Sequence, residues 1–212
     1  MQPKRIILVR HGESEANVDS LVYSRVPDHL IHLTDKGRAQ AREAGAKLAG
    51  LIGEESFGVY VSPYVRTVET KDELLVGMGR QPEFDYQDPS LREQEYGNMP
   101  TPEESTANRE QREKCGMFFY RFPAGESCAD VYDRMSVFFE SLYRRFEDPD
   151  FSENLIIVSH GTAIKCFLTR WYHWTVEKFD ALPKLPNCHV TMMKRSGSSY
   201  VIEKPFGAVV IS

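Results

Sequence analysis

Arg10, His11 and Gly12 cut off a run of four apolar residues, Ile6-Ile7-Leu8-Val9, and Ser159, His160 and Gly161 cut off a second, Leu155-Ile156-Ile157-Val158. An imidazole changes protonation near neutral pH, so a histidine at such a boundary can attack an electrophile or carry a proton. A guanidinium beside it grips phosphate or carboxylate through charge-assisted, often bidentate hydrogen bonds. A third apolar run, Phe57 to Val61, leads into Ser62-Pro63-Tyr64-Val65-Arg66-Thr67. Pro63 suits the first turn of a helix, which puts Arg66 near its start, where a cation opposes the helix dipole unless it has an anion to hold. Each motif alone also fits a charged strand-to-helix turn. Together, Arg10, His11, Arg66 and His160 suit a dianion: at an effective dielectric near 20, each close unit charge contributes on the order of 4 kcal/mol.

The elements that position these groups follow from the apolar pattern. Short, continuous aliphatic runs read as strands buried on both faces, as in a parallel sheet, and open α/β sheets bind ligands at the carboxyl ends of such strands. Right-handed crossovers would bring the three strand ends to one edge. Residues 19–34 lack periodicity and read as a loop. Thr34 or Asp35 caps a helix whose Ala41, Ala44, Leu48 and Leu51 share one face, and Gly53 ends it. A further helix runs to about Met78, and Glu83 to Gln87 reads as a third strand. Leu91 to Gly97 reads as a loop. Residues 98–126 form a cap-like insertion, with the charged stretch 100–114 mobile and the aromatic residues 117–122 packing it back. Val131, Met135, Phe138, Phe139, Leu142 and Phe146 mark an amphipathic helix from about Ser127. A helix over 163–171 and strands over 188–193 and 200–203 complete the chain. The expected fold is α/β: a single three-layer α/β/α domain over residues 1–212 with a mostly parallel central sheet and a small cap.

With 212 residues and 41% hydrophobic content the chain can bury one good core, and a net charge of −5 gives no general reason to bind nucleic acid or an anionic membrane. No apolar run suggests a membrane span. The few residues before the first strand leave no room for a signal peptide, and Cys115, Cys128, Cys166 and Cys188 lack zinc-site spacing and read as reduced thiols; both points favour a cytoplasmic protein. His29 and His32, flanked by Asp28 and Asp35, read as solvent-facing loop residues.

Val-Arg-His-Gly-Glu-Ser at 9–14, Ser-Pro-x-x-Arg-Thr at 62–67, Leu-Arg-Glu at 91–93, Gly-Glu-Ser at 125–127 and Val-Ser-His-Gly at 158–161 resemble, in order, the motifs of the histidine phosphatase superfamily. That family includes cofactor-dependent phosphoglycerate mutases, fructose-2,6-bisphosphatases and broad-specificity acid phosphatases. The resemblance implies a phosphoglycerate mutase-like fold and a nucleophilic His11 that becomes phosphohistidine. It implies a phosphate pocket of Arg10, Arg66 and His160, and Glu93 as general acid. Ser14, Asn17, Tyr96 and Gly161 join Arg10, Arg66 and His160 as expected substrate contacts. No metal or cofactor is implied, the partner is a small phosphoester, and an oligomer is compatible with the sequence. The mutases carry an adjacent Arg pair in the cap and Arg-His-Tyr after the acid. Here the cap has scattered Arg109, Arg112, Lys114 and Arg121, and Gln94-Glu95-Tyr96 follows Glu93. Residues 118–127 look more like sugar bisphosphatases, and still more like small eukaryotic acid phosphatases. The expectation is therefore a metal-independent phosphomonoesterase, with mutase or sugar bisphosphatase as the alternative.

Overall fold

Three aliphatic runs with no polar face build the centre of a six-stranded sheet. In the computed structural model, which describes residues 2–203, these are β1 (Arg5–Arg10), β2 (Phe57–Val61) and β4 (Asn154–Ser159), buried almost throughout. β3 (Asp85–Gln87) lies at one edge, and β5 (Val190–Ser196) with β6 (Ser199–Glu203) at the other. The order is β3-β2-β4-β1-β5-β6; β5 and β6 are antiparallel to their neighbours and the rest are parallel. The three-layer, mostly parallel expectation therefore holds.

Register puts the chemistry together. Arg10 lies beside Ser159 in the β1–β4 ladder, and Val61 beside Val158 in the β2–β4 ladder. The next residues of the three strands, His11, His160 and Ser62, consequently emerge at one edge of the sheet.

Helices cover both faces. On one side α2 (Asp35–Ile52) and α3 (Val65–Met78) pack Leu48, Ile52, Leu74 and Met78 against Ile7, Val9, Val59 and Val158. They approach closely because glycine occupies the crossing: a Cβ at Gly45 would lie 2.1 Å from the Leu74 carbonyl oxygen, and one at Gly77 would lie 2.0 Å from that of Arg42. On the other side α5 (Cys128–Phe146) and α6 (Gly161–Tyr172) pack an aromatic-rich core, with Phe138, Phe139 and Phe167 against Leu8, Leu155 and Ile157. Thr34 caps α2 by accepting the Gly37 N–H, and Ser127 with Asp130 forms the capping box of α5.

Local structure departs from the sequence reading in several places. A short helix, α1 (Glu15–Val18), follows the first strand end, and the stretch 19–34 that reads as a loop contains two 3-10 turns, Ser20–Ser24 and Asp28–Leu30. The charged stretch is a helix, α4 (Pro102–Cys115), with none of its residues buried. It begins at a Thr101–Glu104 capping box with Pro102 in its first turn. A further helix, α7 (Val176–Ala181), anchors Phe179 in the core. Phe118, Tyr120 and Phe122, after α4, are buried, and Phe118 meets Phe179 edge to face, as the aromatic segment led one to expect.

Candidate active site

His11 is held from both sides of the β1 turn. Its N–H donates to the Ser159 carbonyl (3.0 Å), while the Gly12 N–H donates to Thr70 Oγ1 on α3 (3.0 Å). Gly12 is required by space: a Cβ there would sit 2.5 Å from the Gly37 carbonyl oxygen at the start of α2. The His11 ring places Nδ1 2.7 Å from the Gly12 carbonyl oxygen. A carbonyl only accepts, so the proton is on Nδ1 and the lone pair on Nε2. Burial, then Arg66, then Arg10, push the imidazole well below its ordinary value and keep it neutral.

His160 stands at the N-terminus of α6, its ring centroid 5.3 Å from that of His11. Its Nε2 is 2.8 Å from Ser62 Oγ, which in turn takes the Tyr64 N–H. The other ring nitrogen of His160, Nδ1, is buried and has no hydrogen-bond partner among the described residues. Arg10 donates from Nη1 to the Leu185 carbonyl (2.5 Å), while its buried Nε also has no partner among the described residues. A Cβ at Gly161 would come 3.5 Å from that Nε, an ordinary van der Waals contact, so Gly161 borders the Arg10 side chain.

Glu93 reaches the site from the segment after the 3-10 turn Pro89–Leu91. It is fastened by Arg134 of α5, which donates to the carbonyls of Ser90, Arg92 and Glu93 and pairs with Glu126. The Glu93 carboxyl receives the N–H groups of Gln94 (3.0 Å), Thr162 (3.2 Å) and Ala163 (3.1 Å). Burial nonetheless raises it above the ordinary carboxylate value, against the pull of those amides and Arg66. Tyr96 lies beside it, its hydroxyl 3.3 Å from Thr162 Oγ1.

Arg66 already holds an anion: Asp28 pairs with its guanidinium at 2.7 Å, and both side chains are largely buried. The oddly placed cation asks for an anion, and Asp28 behind Pro27 is the signal that could have supplied it. His32 is exposed but is not idle, with Nδ1 2.8 Å from Glu69 Oε1. Ser14 is buried, whereas Asn17 is exposed. The Asn17 Oδ1 accepts the Ser14 N–H (3.1 Å) and the Asn187 amide (2.9 Å). Asn187, which sequence reasoning missed, also donates to the carbonyls of His11 and Gly12. Tyr23 was missed as well; it lies within electrostatic reach of Arg66, Glu93 and Arg10, and burial pushes its phenol up to about 12. Among the described residues no cluster of three or more His, Cys, Asp or Glu side chains could hold a metal, and no helix is long and apolar enough to cross a membrane.

This sheet and its helices match solved structures, among them Bacillus stearothermophilus YhfR, with a TM-score of 0.75 at 24% identity over 98% of each chain. The sequence model of the histidine phosphatase superfamily, branch 1, matches residues 6–206, and the chain belongs to that family. Among curated relatives, phosphoglycerate mutase-like protein AT74H of Arabidopsis thaliana is 46% identical, over 93% of this chain and 76% of its own length. Broad-range acid phosphatase DET1 of Saccharomyces cerevisiae is 27% identical, over 91% of this chain and 86% of its own length.

Proposed function

We propose that the protein is a metal-independent phosphomonoesterase that hydrolyses small phosphoesters through a phosphohistidine on His11. The observation that carries this reading is the pairing of a neutral His11, with its lone pair on Nε2, with two buried nitrogens that lack partners among the described residues, Arg10 Nε and His160 Nδ1, the latter acting in this reading as an N–H donor. Unsatisfied buried donors are costly, and a phosphoryl group's oxygens would satisfy both. Nε2 attacks phosphorus as the ester P–O bond breaks, and Glu93 gives its proton to the departing alkoxide. Water then attacks phosphorus, the P–N bond breaks, and the Glu93 carboxylate takes the water's proton. Arg10, Arg66 and His160 hold the charge of the transferring group, so positioning and electrostatics provide most of the acceleration. Ser14, Asn17, Tyr96 and Gly161 shape the site around them, within one domain whose 98–126 segment acts as its cap.

Replacing His11 with Ala should abolish turnover of p-nitrophenyl phosphate, with or without EDTA. Brief mixing of the unaltered protein with labelled phosphoester should leave an acid-labile, base-stable label that the variant lacks. Full activity in His11→Ala would end this reading. The name of the Arabidopsis relative favours a second reading, a phosphoglycerate mutase. Exchange of 2- and 3-phosphoglycerate after priming with 2,3-bisphosphoglycerate would support it, and release of inorganic phosphate alone would exclude it.

A further inference from the structure

Arg66 is 2% exposed, and much of its guanidinium is already engaged. Nη1 donates to the Asp28 backbone oxygen (2.6 Å) and to Asp28 Oδ1 (2.7 Å), while Nη2 reaches Oδ2 at 3.3 Å. A guanidinium has about five N–H donors, so about two are left for any other ligand. Asp28 opens the 3-10 turn Asp28–Leu30 behind Pro27, and its carbonyl also accepts the Ile31 N–H. Its backbone is therefore fixed independently of its side chain.

The placement of Arg66 does not depend on the Asp28 carboxylate. The first turn of α3, the Asp28 backbone oxygen and the Tyr64 ring, 5.0 Å from the guanidinium carbon, all locate it. What the carboxylate adds is charge. Tyr23 and Glu93 also face Arg66, and burial favours the neutral form of both. A guanidinium withdrawn from water with no anion beside it is strongly disfavoured. We propose that Asp28 is the resting counter-ion of Arg66: it neutralises the guanidinium in the empty pocket, competes with the phosphoryl group for it, and so sets how readily phosphate leaves.

This inference rests on the phosphate-site reading above. With Asp28 in place, Arg10 and Arg66 present one net positive charge to an arriving dianion; with that carboxylate neutralised they present two. At an effective dielectric near 20, the repulsion removed corresponds to about tenfold tighter phosphate binding or more.

Asp28→Asn tests this, because it keeps the backbone acceptor and one side-chain oxygen while removing the charge. The measurements are competitive inhibition of p-nitrophenyl phosphate turnover by inorganic phosphate, and the melting temperature with and without phosphate. The variant should show an inhibition constant lower by at least about tenfold, a lower melting temperature without ligand, and a larger rise on adding phosphate. A lower melting temperature with unchanged phosphate binding would reduce Asp28 to a structural role and overturn the proposal. Weaker phosphate binding would overturn it too, by making Asp28 an orienting group. Should Asp28→Asn fail to fold, Asp28→Ser is read in the same way. An unaltered protein that neither binds phosphate nor hydrolyses phosphoesters overturns both this inference and the phosphatase reading; binding without the predicted change in the variant overturns only the counter-ion.

Discussion

In the proposed reaction Glu93 must hold a proton in order to give one to a leaving alkoxide. Its carboxyl is raised by burial above the usual range, so it stays protonated to a higher pH than a surface glutamate. His11 is held well below 6.5 and stays unprotonated to a lower pH than a surface histidine. In the proposed reaction activity should therefore be retained on the acid side and fall as pH rises through the Glu93 value, read from the pH profile of kcat/KM. Glu93→Gln should remove that alkaline fall and lower kcat for alkyl phosphates by about 100- to 10,000-fold. The loss should be smaller for p-nitrophenyl phosphate, because p-nitrophenolate departs without needing a proton. Equal losses on alkyl and aryl substrates would contradict the assignment. At this scale the strand-end residues were legible, because aliphatic runs that stop at Arg-His-Gly and Ser-His-Gly mark the sheet edge directly. Asp28 and Asn187 were not: their partners lie 38 and 170 positions away, and neither Pro27 before Asp28 nor anything around Asn187 says which residue the side chain will meet.

The two helices on one face of the sheet show how an element controls the site at a distance. α3 carries both Arg66 and Thr70, and Thr70 holds the Gly12 N–H, so the spacing between α2 and α3 sets the relation of Arg66 to His11. Gly45→Ala would place a methyl group 2.1 Å from a backbone oxygen that no side-chain rotation can move aside. It should cost about 1–3 kcal/mol, measured by denaturant unfolding, and lower kcat/KM as α3 shifts. The helix α2 itself was readable because its alanines and leucines recur on one face. α4 was not, since periodicity reports buried faces and α4 has none; its one local signal was the pair Thr101 and Glu104 around Pro102. α7 is too short to show a period.

Over the whole molecule, the two buried histidines tie stability to pH. Both are held well below 6.5, chiefly by burial and next by Arg66. Unfolded, they titrate near 6.5, so between that value and their folded values the unfolded chain binds more protons. Their contribution is complete above about pH 6.5 and is lost progressively as the pH falls toward the folded values. The melting temperature should drop between about pH 7.5 and about pH 5, and His11→Asn should reduce that drop. An identical drop in the variant would show that His11 is not responsible. The packing of helices on both faces of a mostly parallel sheet was legible from alternating strands and helices, and β5 and β6 were recognised as strands; the order of the six strands and the antiparallel pairing of β5 with β1 were not, because both are long-range properties that no short window encodes. The absence of buried side chains in α4 has a consequence for descent. Substitutions or insertions there disturb no buried side chain of the helix, so this segment has room to change while the sheet that holds the strand ends stays as it is.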